Sequence, residues 1–216
     1  MHESVLKVFP SFSTRFEGRV HSMYLDILGL ITTGIGNLID TPEETARLPW
    51  FHEATGERAT EAEIKAAWHQ LKARQDIKTK HWRFAAELND LRLTDEAIDE
   101  LVEAKLKSNE AYLKSRYYPG WDDFPADAQL GILSMAWALG PGFPRTFKNF
   151  TRHVLAGEWN HAIVACKIRE EGNPGVVPRN AANRVCFSNA DVAMRKELAR
   201  TVLHWPEELS IAPLEA

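Results

Sequence analysis

Apolar residues recur at helical spacing near the start of the chain, at Val5, Leu6, Phe9, Phe12 and Phe16. Pro10 interrupts that run. A proline breaks a helix interior but is welcome at a first helical position, so the pattern predicts a short helix, then a second from about Pro10 to Glu17, stopped by Gly18. Between residues 20 and 39 the period changes. Val20, Tyr24, Leu25, Ile27 and Leu28, then Leu30 to Thr33 and Ile35, are β-rich and lie between glycines, which predicts two or three short strands. Glycines inside such strands often mark close approach of a backbone or a ligand.

Beyond residue 40 the pattern is helical. Thr41-Pro42-Glu43-Glu44 opens like a capped helix, and Thr60 with Glu63 forms a capping box, so residues 41–93 read as a helical stretch. Its lysines and arginines (Lys65, Lys72, Arg74, Lys78, Lys80, Arg83) make either a solvated face or a patch facing an acidic polymer. Thr94 caps the clearest helix, which runs to about Tyr117 with acids in its first turn and bases in its last, as the helix dipole favours. Pro125 to Leu139 is apolar nearly all round and belongs in a core. Helices are expected over Phe147–Ala156, over Trp159–Lys167, and as two separate pieces over Arg179–Phe187 and Asp191–Trp205, after a loop at 171–178 and before a frayed tail from Pro206.

Composition narrows the class. A chain of 216 residues suits one domain, and 44% hydrophobic with 26% charged residues is a globular mixture rather than a disordered one. A net charge of −4 provides no bulk attraction to nucleic acid or to an anionic membrane, so neither is expected as a partner. Cys166 and Cys186 make no framework or zinc pattern and stand as two buried thiols or one bridge. The histidines show no pair at a spacing such as HxxxH, so no metal and no cofactor is expected. The first residues lack a basic and then apolar leader, which points to synthesis in the cytoplasm without a signal peptide.

Candidate chemistry concentrates in Phe16–Leu38. Glycosidic cleavage uses two carboxyl groups in different environments, one giving a proton and the other activating water or attacking the sugar. Glu17 ends a predicted helix, where the dipole disfavours negative charge, and Phe12, Phe16 and Tyr24 are candidates for apolar surroundings; both effects suit an acid. Asp26 sits by a glycine turn, and the hydroxyl of Thr32 is placed to orient a water.

The stretch Glu17-Gly18, Tyr24-x-Asp26, Gly29 and Thr32-Thr33-Gly34-Ile35-Gly36 resembles the phage-type lysozymes, glycoside hydrolase family 24. The resemblance covers residues 12–39 closely and about 94–190 loosely, and residues 41–93 have no counterpart in the small phage enzymes. It implies Glu17 as general acid, Asp26 acting on the water or the glycosyl cation, and Thr32 positioning the water. It further implies an α+β, predominantly α, two-lobed fold: an N-terminal lobe over 1–93 with a small antiparallel sheet and a helical insertion at 41–93, an interlobe helix over 94–118, and a helical C-terminal lobe over 119–216. Gly34, Asn37, Trp137, Arg179 and Arg184 fall on the substrate side, with Trp121 as an alternative to Trp137. Arg184, ahead of Arg179, is the candidate partner of Glu17. Asn37 replaces the family's usual histidine.

The implied function is hydrolysis of the β-1,4 bond between N-acetylmuramic acid and N-acetylglucosamine of peptidoglycan strands, by inversion, in the periplasm or cell wall after release or delivery. A lytic transglycosylase, another glycan hydrolase or a non-catalytic cell-wall-binding module are the alternatives. The insertion is a candidate docking site for a carrier or inhibitor protein.

Overall fold

The computed structural model describes residues 1–210. Its first element, α1 (Glu3–Glu17), is one helix with Pro10 inside it, not the two pieces expected. An interior proline costs about 3 kcal/mol. Val5, Phe9 and Phe12 are fully buried, and each contributes about 1.5–3 kcal/mol on burial. Packing of that face therefore outweighs the proline. Gly18, at φ +72°, ends the helix in the left-handed region.

The strands β1 (Val20–Leu25), β2 (Ile31–Gly34) and β3 (Asn37–Leu38) form an antiparallel sheet in that order. Val20 pairs with Gly34, Tyr24 with Thr32 and Leu25 with Ile31, with an irregularity in β1 between Val20 and Tyr24. The turn from β2 to β3 requires glycine at Gly34: φ is +63°, and a Cβ there would lie 3.0 Å from Asn37 Oδ1 and 3.2 Å from Ile98 Cγ2.

Residues 41–93 are not purely helical. They hold α2 (Pro42–Ala46), β4 (Phe51–His52), α3 (Glu61–Lys72), a 3-10 turn at Gln75–Ile77, α4 (Arg83–Ala86) and β5 (Leu91–Arg92). The expected caps are made: Thr41 caps α2, and Thr60 with Glu63 closes a full capping box on α3. The missed feature is an antiparallel pair, Phe51↔Arg92 and His52↔Leu91. Strands this short carry no periodic signal, and their partners lie far apart in sequence.

The helix α5 (Asp95–Arg116) is capped by Thr94, whose hydroxyl accepts the Ala97 amide at 3.2 Å. Next come α6 (Ala126–Leu139), buried at every residue from Ala126 to Trp137, α7 (Lys148–Leu155) and α8 (Trp159–Ala165). Last is α9 (Val176–Arg195), a single helix where two were expected. Asn189, which falls between the two pieces expected, sits buried in α9. Its Nδ2 donates to Asp127 Oδ1 at 3.0 Å and to the Glu207 carbonyl at 2.7 Å, and its Oδ1 accepts the Leu209 amide at 2.8 Å.

The class is α+β with a predominance of helix. The chain divides into two compact units, and α1 groups with the later helices rather than with the sheet. One unit comprises Met1–Phe16 and the chain from Leu106 on. There α6 and α8 pack on α9, and the rings of Phe9 and Trp137 (5.2 Å between centroids) and of Phe12 and Trp205 (4.8 Å) hold α1. Cys166 and Cys186 are two buried free thiols in it. The other unit, Glu17–Lys105, packs α3, α4 and β5 against β1, around buried Met23, Ile31, Ile35, Trp50, Leu71 and Ile98. Among the described residues no helix is long and apolar enough to cross a membrane.

Candidate functional site

The hairpin between β1 and β2 positions Asp26. Its Oδ1 accepts the amides of Leu28 at 2.8 Å and Leu30 at 2.9 Å, its own amide donates to the Leu30 carbonyl, and its carbonyl accepts from Gly29. An Asp that hydrogen-bonds its own turn in this way is locally programmed. The carboxyl group is thereby held in one orientation at the end of β1.

The insertion braces this hairpin. Lys72 Nζ donates to both carboxylate oxygens of Asp40, at 2.6 and 2.9 Å, and to the Gly29 carbonyl at 3.0 Å. Asp40 Oδ1 also accepts the Ile31 amide at 2.8 Å. Gln75 Nε2 donates to the Gly29 carbonyl at 3.3 Å, and its amide group lies where a Cβ on Gly29 would sit, 2.0 Å from Oε1. Gly29 has φ +78°, so the turn demands glycine, and the Gln75 amide fills the space beside it.

Glu17, Tyr24 and Asp26 line one pocket of about 410 Å³, together with Ile27, Lys78, Lys80 and Trp82. Glu17 is exposed; of the rings expected around it, Phe12 is instead buried among Phe9, Phe16 and Trp205, while Tyr24 lines the same pocket. Tyr24 is half-buried, and its phenol is pushed up to about 12 by burial and then by the negative charges of Glu17 and Asp26. It therefore stays protonated at neutral pH. Thr32 pairs with Tyr24 across the hairpin, which puts both side chains on one face of the sheet. Thr32 is buried, its hydroxyl 3.5 Å from the Leu30 carbonyl.

The basic stretch of the insertion divides by role. Lys65 pairs with Glu61, Arg74 with Asp76 and Lys72 with Asp40, so those charges are matched locally. Lys78 and Lys80 face the pocket, where the Trp82 ring supplies an apolar surface and the Arg83 guanidinium stands 5.5 Å from that ring's centroid. Two acids, a phenol, two ammonium groups and an indole are thus gathered at one pocket.

The remaining sequence-predicted residues are placed elsewhere or used locally. Gly34 is packed against Asn37 and Ile98, and Asn37 is buried with Oδ1 accepting the Ile35 amide at 3.1 Å. Both serve the β2–β3 turn. Trp137, Arg179 and Arg184 belong to the other unit. Trp137 is buried on Phe9 and Trp121 is fully buried, which leaves neither indole an open face. Of the two arginines, Arg184 is exposed and Arg179 is buried. Arg179 donates to the Ser134 carbonyl and hydroxyl at 3.2 and 3.1 Å, and its guanidinium lies 4.7 Å from the Phe16 ring centroid.

Sequence reasoning treated Tyr24 only as apolar surroundings and overlooked Lys72, Gln75 and Trp82 as parts of a site. For Tyr24 a signal existed, because alternation from Asp26 back to Tyr24 keeps both on one face of a strand. For the insertion residues none did, because their role comes from the fold. No protein-family model matches the chain, and no curated protein matches it either.

Proposed function

We propose that the protein is a peptidoglycan muramidase acting at the Glu17–Tyr24–Asp26 pocket. The observation that carries this reading is that two carboxyl groups at the spacing of the phage-type lysozymes line one pocket together with a protonated phenol. The reading brings with it the two-lobed lysozyme-like arrangement expected from the resemblance, and action outside the cytoplasm.

In this reading Glu17 gives its proton to the leaving glycosidic oxygen, and Asp26 activates a water on the opposite face of the sugar, as in an inverting hydrolase. Glu17 is exposed in the chain alone, so the substrate itself supplies the desolvation that favours a protonated acid. Tyr24 keeps a protonated hydroxyl in the same pocket, and Thr32, on the same sheet face, helps hold the water. Lys78 and Lys80 match the carboxylates that peptidoglycan stem peptides carry, and Trp82 offers a ring to a sugar face. A contact of the insertion with the hairpin favours a role in the site over the docking of a carrier or inhibitor protein.

The test is turbidity clearing of purified peptidoglycan by wild type and Glu17→Gln, with mass analysis of the products. Loss of a general acid is expected to slow clearing by about 10²–10⁴-fold, with hydrolysed reducing ends from the wild type. Equal clearing by both proteins sinks the assignment, and 1,6-anhydro products convert it to a lytic transglycosylase.

A further inference from the structure

We infer that His153, Glu158 and His161 form a binding site for a divalent transition-metal ion of the zinc type. The site lies in the unit built around α6 and α9 and stands independently of the Glu17 pocket.

The sequence spaces these residues as H-x4-E-x2-H, which matches no short metal motif. The turn between α7 and α8 brings them together. His153 is in the last turn of α7, Gly157 takes φ +69° and reverses the chain, Glu158 is the residue before α8, and His161 is in the first turn of α8. The turn is tied by the Glu158 amide donating to the His153 carbonyl at 2.9 Å and the His161 amide to the Glu158 carbonyl at 3.1 Å. One potential ligand atom from each side chain falls within 4.8 Å of the others. The imidazole rings are 4.9 Å apart between centroids.

Distances decide whether an ion fits. Ligands held at about 2.0–2.2 Å around a tetrahedral ion lie roughly 3.4 Å from one another. His161 Nδ1 is 3.6 Å from Glu158 Oε2, already at that separation. His153 Nδ1 is 2.6 Å from the same oxygen, a hydrogen bond. Replacing its proton by a metal requires that pair to open by less than about 1 Å. The His153 side chain is 15% exposed and so is fixed by packing, whereas Glu158 and His161, at 43% and 59%, have room to adjust.

The donor set selects the ion. Two imidazoles and one carboxylate suit zinc, copper or nickel, while magnesium and calcium prefer all-oxygen cages. With three protein ligands a fourth position remains for water or an external group. His153 and His161 also line a cavity of about 770 Å³, together with Lys148, Asn149 and Val164, toward which that position can open. One neighbour opposes binding: an Arg152 guanidinium nitrogen lies 3.2 Å from His153 Nε2. A metal on Nδ1 leaves the ring proton on Nε2, so Arg152, which is exposed, must turn away.

The test is calorimetric titration of the full chain with zinc chloride in metal-free buffer, with the ligand-field spectrum of the cobalt(II) form as a second readout. Wild type is expected to take up one equivalent. His161→Ala, at an exposed position, is expected to weaken binding at least tenfold with an unchanged far-UV spectrum. Arg152→Ala is expected to strengthen it several-fold by removing the competing cation. Absence of saturable binding by wild type, or equal binding by wild type and His161→Ala, overturns the proposal.

Discussion

Replacing Lys72 by methionine tests whether the insertion holds the hairpin that carries Asp26. The ammonium group makes three contacts, two to Asp40 and one to the Gly29 carbonyl. The pair is neither exposed nor deeply buried, with side chains 30% and 23% accessible. Exposed ion pairs are worth about 0.2–1 kcal/mol, and removing one partner of a buried pair costs about 3–5 kcal/mol. Water still reaches Asp40, which keeps the Ile31 amide, and Gly29 keeps Gln75. Methionine preserves most of the aliphatic stem. These bounds set the expected loss at about 1–2 kcal/mol in urea unfolding. The loss is local in origin, so amide exchange at Leu30 and Ile31 is expected to quicken by about tenfold, the equivalent of ~1.4 kcal/mol. A double-mutant cycle with Asp40→Asn is expected to show coupling of most of that energy. If Lys72→Met unfolds within about 0.3 kcal/mol of wild type and those two amides exchange as before, the insertion does not brace the hairpin.

Other outcomes follow from the same contacts. Trp82→Ala removes a pocket wall that carries no acid–base group, so KM for peptidoglycan fragments is expected to rise about tenfold with kcat little changed; a fall in kcat alone contradicts a substrate-holding role. Asp127→Ala strips the acceptor from the Asn189 side chain and from the His204 and Trp205 amides. At about 1–3 kcal/mol per stranded donor, partly relieved by water near the chain end, a loss of about 3–5 kcal/mol is expected in urea unfolding; under 1 kcal/mol refutes it. The pKa of His52 is raised by its Nδ1 hydrogen bond to Asp90, against desolvation and with added help from Glu63. The folded chain thus holds that proton more tightly than the unfolded one. The contribution is present below about pH 6.5 and is lost as pH rises through the raised folded value. His52→Gln is expected to flatten the decline of Tm with pH in that window, and an unchanged slope counts against the Asp90 contact.

Much of the fold was legible because its signals are local. Thr94 and the charge gradient along α5, the capping box of Thr60 and Glu63, and the unbroken apolar run of α6 each specify an element without reference to the rest of the chain. The failures are places where tertiary contacts override a local preference. Pro10 stays helical because Phe9 and Phe12 are buried on both sides of it, and Asn189 stays helical because Asp127 and the chain at Glu207–Leu209 satisfy its amide. The candidate site divides in the same way. Glu17, Asp26 and Thr32 fall within one short stretch and were readable as a pattern. Lys72, Gln75 and Trp82 join it only through folding of the insertion, and His153, Glu158 and His161 meet only through the turn at Gly157.

The grouping of α1 with the later helices bears on how the chain is made. The Glu17–Lys105 unit is continuous in sequence and is complete before the other unit's remaining helices are synthesised. The helix α1 is therefore made well before the later helices it packs with. Phe9 waits for Trp137, roughly 130 residues later, and Phe12 for Trp205. At about 5–20 residues per second, Phe9 and Phe12 wait several seconds or more for those rings. During that interval the apolar face of the amphipathic α1 lacks the rings that cover it in the folded chain.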